Sequence, residues 1–462
     1  MSLEAYHQSI AKKRVSFEPR GFEPRSLHPA LKPHQAHCVE FSTRAGCSAM
    51  FLDTGLGKTL GALDWARAVT ERTNRPVLML APLAVSGQHE READRFGLDA
   101  KAIREPSEIG APRTYITNYE RLDRFDPAAF GGVVLDESSI LKSFTGKTTR
   151  ALISSFANTP YRLACTATPA PNDHTELGQH ADFMGVMESP EMLSRWFIAD
   201  QTQMGRYRLK RSGVRPFWDW VASWARCIAK PSDIGLSDEG YILPELRPHR
   251  HIVEADRSVD TGEFLFRIPD MSATSIHKEK RLTKDARADV IADLVARESN
   301  DAWVVWCDTD YEADALKARI ADAIEVRGSM SAERKEEALT AFSLGRERVI
   351  ITKPSIAGYG LNWQHCARMA FVGLSFSYES YYQAARRCWR FGQPRPVDVH
   401  IAMADTERAI WDVITRKTDD HDAMKTEMTA AMKRASRSSG VLQDYTPDQP
   451  MRLPAWLISQ TA

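Results

Sequence analysis

Asp53-Thr-Gly-Leu-Gly-Lys58-Thr59 lies between an apolar run, Ser48-Ala-Met-Phe-Leu52, and a helix-forming run, Leu60-Gly-Ala-Leu-Asp-Trp-Ala66. A buried strand, a glycine turn and a helix N-terminus in that order make a cradle for phosphate. The glycines let backbone N–H groups approach the anion, and the helix dipole favours negative charge. In such a turn Thr54, Gly55, Leu56 and Gly57 supply backbone, Lys58 reaches the outer phosphates and the Thr59 hydroxyl suits Mg²⁺. The strict pattern has a glycine where this chain has Leu52, so the match is partial.

A phosphate cradle needs a second strand that delivers acid to the metal. Val133-Val-Leu-Asp136-Glu137-Ser138-Ser139 has that form, an apolar strand ending in two carboxylates. Asp136 can hold Mg²⁺ through its water shell, and Glu137 can polarise an attacking water.

The 462 residues are enough for two or three domains. Lys and Arg number 61 and so do Asp and Glu, so any polyanion site must come from local clustering. The seven cysteines form no C-x-x-C pair and read as reduced intracellular thiols, not a disulfide frame or zinc site. No apolar run approaches the span of a bilayer and the N-terminus is polar, which predicts a cytoplasmic protein without a membrane partner. His28, His34, His37 and Cys38 lack a matching ligand pair nearby and read as coincidence.

Short apolar runs alternate with helix-period stretches twice, the pattern of βα units around parallel sheets. The first series is Ala49–Leu52, Val77–Ala81, Thr114–Thr117, Gly132–Leu135 and Tyr161–Thr166; the second is Ala302–Cys307, Ile324–Val326, Val349–Thr352, Met369–Val372 and Val397–Ile401. The rhythm breaks over about 175–235, where Trp196, Trp218, Trp220 and Trp224 accompany Arg206, Arg208, Lys210, Arg211 and Arg215. That stretch reads as a helical insertion. Its basic residues could track a nucleic-acid backbone with aromatics as stacking platforms, or its tryptophans could fill a small core of their own. The proline-punctuated Leu243-Pro-Glu-Leu-Arg-Pro248 reads as a linker.

Further motifs carry a family resemblance. Leu31-Lys-Pro-His-Gln35 resembles the adenine-reading glutamine motif of superfamily 2 helicases, and Thr166-Ala-Thr168-Pro-Ala-Pro-Asn172 resembles the Thr-Gly-Thr-Pro-x-x-Asn motif of their Swi/Snf branch. Lys353-Pro-Ser-Ile-Ala-Gly358-Tyr-Gly360-Leu-Asn362 resembles the branch's motif V. Gln383-Ala-Ala-Arg-Arg387-Cys-Trp-Arg390-Phe-Gly-Gln393 fits Gln-Ala-x-x-Arg-x-x-Arg-x-Gly-Gln at every fixed position. Three apart on a helical stretch, Arg387 and Arg390 would point from one face.

The resemblance implies an α/β chain of two tandem RecA-like domains: an extension over 1–29, domain 1 over 30–240, domain 2 over 241–405, and a helical extension with a tail over 406–462. It implies ATP and Mg²⁺ as cofactors, with Gln35 reading adenine and Gly360, Arg387 and Arg390 completing the site. Glu137, Lys58, Arg387 and Arg390 would be catalytic, and Thr59 and Asp136 would hold the metal. Thr166, Thr168 and Gln383 would couple hydrolysis to movement. Thr117, Ser329, Lys353, Arg206, Arg208, Lys210 and Arg211 would meet nucleic acid. The implied function is an ATP-dependent DNA helicase or translocase. It would be a monomer in a bacterial or phage-infected cytoplasm, acting on duplex or branched DNA beside replication, recombination or repair proteins. The alternatives are an RNA helicase and a nucleotide-dependent recruitment clamp with slow ATPase. The sequence departs from the family at Ser138-Ser139, where Ala-His is usual, at Ala167, and in Pro82–Gln88, which lacks the motif Ia aromatic.

Overall fold

The computed structural model describes residues 18–82, 85–143, 145–200, 206–254, 273–357 and 361–439. They divide into two compact units, the first within Met1–Ala81, Glu90–Leu236 and Ala423–Ala462, the second within Pro82–His89 and Ser237–Asp422. Among the described residues no helix is long and apolar enough to cross a membrane.

The first unit is built on strands β1 Cys47–Leu52, β2 Val77–Ala81, β3 Ala100–Ala102, β4 Thr114–Asn118, β5 Gly132–Asp136, β6 Tyr161–Cys165 and β9 Ala225–Ile228. They form one sheet in the order β3-β4-β2-β5-β6-β1-β9, with every neighbouring pair parallel. Both faces of such a sheet are covered, which is why β1, β2, β4 and β5 are buried at every residue. Helices α1 Pro33–Ala45 and α2 Lys58–Thr73 pack on this sheet and on each other. Trp65, Leu63, Ala66 and Val69 of α2 are buried.

The 175–235 stretch contributes α3 Leu177–Met184, a short helix Ser189–Trp196, an antiparallel ribbon of β7 Phe197–Ala199 with β8 Tyr207–Leu209, and α4 Val214–Trp224. It then supplies β9, a strand that the sequence pattern does not announce. Four tryptophans fill this region's core. Trp196 and Trp220 lie 4.7 Å apart by ring centroids, Trp220 and Trp224 5.5 Å, and all four are buried. They are packing residues, not stacking platforms.

The second unit's sheet runs β10-β15-β14-β11-β13-β12, again all parallel, from β10 Leu246–Val253, β11 Trp303–Trp306, β12 Ile324–Val326, β13 Val349–Thr352, β14 Arg368–Phe371 and β15 Val397–Ala404. The expected linker Leu243–Pro248 therefore runs into a strand. Pro248 is tolerated because β10 is an edge strand. The helices used below are α5 Lys284–Arg297, α6 Tyr378–Ala385 and α7 Arg408–Ser439. Residues of α7 count with the second unit to Asp422 and with the first from Ala423.

A charged pair is sealed inside the second unit. Arg287 of α5 meets Glu312 at 3.1 Å with both side chains at 0% exposure. Arg287 also donates to the carbonyls of Val372 and Lys280. Gly373 has no side chain because a Cβ there would stand 2.7 Å from both charged groups. Removing one partner of such a pair leaves an uncompensated buried charge. Arg287→Met should lower stability by about 3–5 kcal/mol, and adding Glu312→Leu should recover most of it, as read by urea denaturation.

Candidate nucleotide site

The P-loop turn sits at the C-terminal end of β1, and its backbone has the conformation that only glycine adopts without strain. Gly55 has φ +94° and Gly57 φ +76°. A Cβ at Gly57 would lie 2.0 Å from Nε2 of Gln35. The turn ends at the N-terminus of α2, whose first residue is Lys58 and whose cap is Gly57. The first N–H groups of a helix have no partner within it, so this end presents donors and a positive dipole to an anion. Lys58 Nζ donates to Leu52 O at 3.0 Å, folding its ammonium back over the turn.

Gln35 is tied to the same turn. Its Nε2 donates to Leu56 O at 2.9 Å, and its Oε1 accepts from Lys32 N at 2.8 Å. His34 Nε2 lies 3.2 Å from the same Leu56 carbonyl, and burial lowers its pKa. His34 is thus engaged with backbone, and among the described residues no cluster of His, Cys, Asp and Glu could hold a metal ion.

Strand order brings the acids to this edge. β5 pairs with β6, and β6 with β1, in a register that aligns Asp136, Cys165 and Met50. Asp136 ends β5, and its carbonyl accepts from the buried Tyr119 hydroxyl at 2.7 Å. Glu137 follows in a left-handed backbone conformation, φ +52° and ψ +55°. For a residue with a Cβ this costs about 1–2 kcal/mol, so the surroundings must enforce it. Thr166, directly after β6, donates from Oγ1 to Glu137 Oε2 at 3.3 Å, and its Oγ1 also accepts from Thr168 N at 3.1 Å. Within the first unit Gln35, Lys58, Thr59, Asp136, Glu137, Thr166 and Thr168 therefore gather at one end of one sheet. Hydroxyl and carboxylate oxygens are the donors that Mg²⁺ takes, so the residue types fit the ion.

The sequence reading missed three groups here. His180 of α3 places Nε2 3.1 Å from Ser138 Oγ. Lys425 of α7 lies 3.1 Å from Asp53, with both side chains nearly enclosed. Tyr119 is the third. None carries a motif, and each arrives from a distant segment, so no local signal could have found them.

In the second unit α6 ends at Ala385, and Arg387 and Arg390 occupy the turn beyond it. The expected shared helix face is therefore replaced by a turn, which still converges the pair. Arg387 Nη1 and Arg390 Nη1 both donate to Leu361 O at 2.9 Å. Arg387 also donates to Gln383 O at 3.0 Å and to Gln383 Oε1 at 3.3 Å. Gly392 has φ +89°, and Gln393 Nε2 donates to the carbonyls of Gln364 and Cys366. Gly358 and Gly360 lie outside the described residues.

The nucleic-acid candidates are scattered. Thr117 is buried within β4, and Ser329 is exposed in a turn. Lys353 follows β13, pairs with Asp310 at 2.9 Å, and lines a cleft with Trp306, Asp308, Ser375 and Tyr381. Arg208 is exposed on β8, and Arg206 and Arg211 are exposed on either side of that strand. Lys210 instead donates to the carbonyls of Ser194 and Arg195 at 2.8 Å, closing the end of the helix before β7.

Glu176, next to α3, accepts from Asn172 N at 3.1 Å and from Asn172 Nδ2 at 2.8 Å. Burial nonetheless pushes its carboxyl up to about 7. With the folded value above the ordinary 4.5, the stability from the protonated group is full below about pH 4.5 and is lost as pH rises through 7. Glu176→Gln should flatten that decline, worth on the order of 2–3 kcal/mol, in urea titrations across the window. Gly57→Ala should abolish nucleotide binding measured by calorimetry, because the new Cβ meets Gln35 in a backbone conformation that alanine resists.

Residues 257–392 match the Helicase conserved C-terminal domain family. The chain is 23% identical over 450 residues to the DNA annealing helicase and endonuclease ZRANB3 of Bos taurus, covering 87% of this chain and 41% of that protein. The proteins of that name from Mus musculus and Homo sapiens are each 22% identical, over 87% and 86% of this chain. The chain thus spans about two fifths of the length of these relatives. Among solved structures, the Sulfolobus solfataricus SWI2/SNF2 ATPase core in complex with dsDNA covers 90% of this chain and 97% of its own, at 17% identity and TM-score 0.43. The domain match falls within the second unit, and the motifs of both units resemble those of the Swi/Snf-like branch of superfamily 2 helicases.

Proposed function

We propose that the chain is a DNA-stimulated ATPase that couples hydrolysis to movement along, or remodelling of, DNA. The observation that supports this best is the common sheet edge shared by the P-loop, Asp136–Glu137 and Thr166, with Thr166 Oγ1 on the Glu137 carboxylate. Lys58 and the α2 N-terminus would hold the triphosphate, and Thr59 and Asp136 would hold Mg²⁺, which supplies charge neutralisation at the phosphates. Glu137 would orient and deprotonate the attacking water. Arg387 and Arg390 would take up charge as the terminal phosphoryl leaves. Thr166, bonded to the Glu137 carboxylate, would sense the state of Glu137 and pass it along the segment to Asn172. The family resemblance and the DNA helicase relatives favour DNA as the polymer.

ATP turnover should be measured alone and with duplex DNA, single-stranded DNA or RNA. Turnover should rise strongly with DNA, and equal turnover in all arms would sink the motor while leaving the ATPase. A larger rise with RNA would make the chain an RNA helicase. Lys58→Ala and Glu137→Gln should each reduce turnover by at least about 100-fold. Arg387→Ala should reduce it by on the order of 10³-fold while nucleotide binding to the first unit persists, as followed by calorimetry.

A further inference from the structure

Ser138 stands directly after the acid assigned to water activation, and its side chain does something unusual for a turn serine. Such hydroxyls ordinarily bond back to their own backbone. Ser139 follows that habit, with Oγ 3.5 Å from Glu137 O. Ser138 leaves the turn instead and reaches His180, 42 residues away, at 3.1 Å. Both residues are fully buried. The ring's other nitrogen, Nδ1, faces Glu176 O at 3.4 Å. A carbonyl can only accept, so Nδ1 carries the hydrogen, and Nε2 is left to accept from the Ser138 hydroxyl. The Phe51 ring of β1 abuts His180 edge to face at 5.3 Å between centroids, which fixes the plane of the imidazole.

A buried neutral hydrogen bond adds little net stability over an apolar pair of the same shape, but it is directional. Direction is what a long-bonded turn needs. Glu137 is in a left-handed conformation, and within the turn its carbonyl receives long bonds from Ile140 N at 3.3 Å and Ser139 Oγ at 3.5 Å. Anchoring the next side chain fixes the peptide plane between residues 137 and 138, and so the direction in which the Glu137 side chain leaves the backbone.

We propose that His180, acting through Ser138, is a positioning residue for ATP hydrolysis that holds Glu137 in the geometry needed to activate water. This rests on the ATPase reading above, and the experiment separates the two. Steady-state ATP turnover, with DNA saturating, is measured for the unsubstituted protein, Lys58→Ala, Ser138→Ala, His180→Phe, the Ser138→Ala/His180→Phe pair and His180→Gln. Phenylalanine keeps the contact with Phe51, and the glutamine amide can reach the place of Nε2. Ser138→Ala and His180→Phe should each lower kcat about tenfold and leave KM for ATP within about twofold. The pair should be no worse than either single change, and His180→Gln should recover most of the loss.

Wild-type kcat in Ser138→Ala, which removes a single oxygen and cannot unfold the site, overturns the inference and leaves the ATPase reading intact. Additive losses in the pair, a His180→Gln variant as slow as His180→Phe, or a KM that rises in step with the fall in kcat overturn it as well. An unsubstituted protein with no Lys58-dependent turnover overturns both.

Discussion

The site depends on β6 lying between β1 and β5. Hydrogen-bonded strands stand about 4.8 Å apart, so the ends of β1 and β5 are separated by about 10 Å with β6 between them. That interval would leave room for the proposed phosphate cradle on one side and the proposed metal-binding acid on the other, with Thr166 midway. The register that aligns Met50, Cys165 and Asp136 is the controlling variable. A slip of one residue in β5 would turn Asp136 to the opposite face of the sheet. The burial of β1 and β5 at every residue, and of β6 beyond Tyr161, makes such a slip costly, because it would disturb both covered faces at once.

Around this ladder the polar groups of the site hold one another before any ligand is considered. Gln35 braces the Leu56 carbonyl of the cradle, so the residue assigned to adenine also shapes the phosphate turn. Tyr119 caps Asp136, Thr166 holds the Glu137 carboxylate, and Lys425 neutralises Asp53 at the base of the turn. Each contact joins residues far apart in sequence, and each restrains a group whose direction matters for chemistry. Preorganisation of this kind reduces what must be rearranged when charge moves.

The two parallel sheets, the P-loop and the acid pair were legible because each is a local pattern: a buried run, a glycine turn, a helix start. Patterns of that kind could not reveal β9, because Ala225-Arg-Cys-Ile228 is a four-residue strand directly behind a helix of tryptophans. β10 was hidden by Pro248 and by exposure along the edge. The convergence of Arg387 and Arg390 was readable, but the means was not. Helical spacing suggested a shared face, whereas a turn after Ala385 folds both guanidinium groups onto Leu361 O. Lys210 looked like part of a basic stripe, yet its ammonium closes a helix end, a role set by tertiary position. His180 and Lys425 were invisible for the same reason.

The closing strand and the last helix bear on how this chain is born. β9 covers the flank of β1, and Asp53 N donates to Ile228 O at 2.9 Å. Met432 of α7 then meets Cys227 N at 3.1 Å, and Arg434 pairs with Asp219. Leu236 and Ala423 are separated by the whole body of the second unit. At ribosomal speeds of about 5–20 residues per second, that interval takes roughly 10–40 s to translate. The amino-terminal sheet must wait through this interval with the seat of its final helix uncovered. The first unit is therefore most exposed to misassembly until the end of α7 has been made.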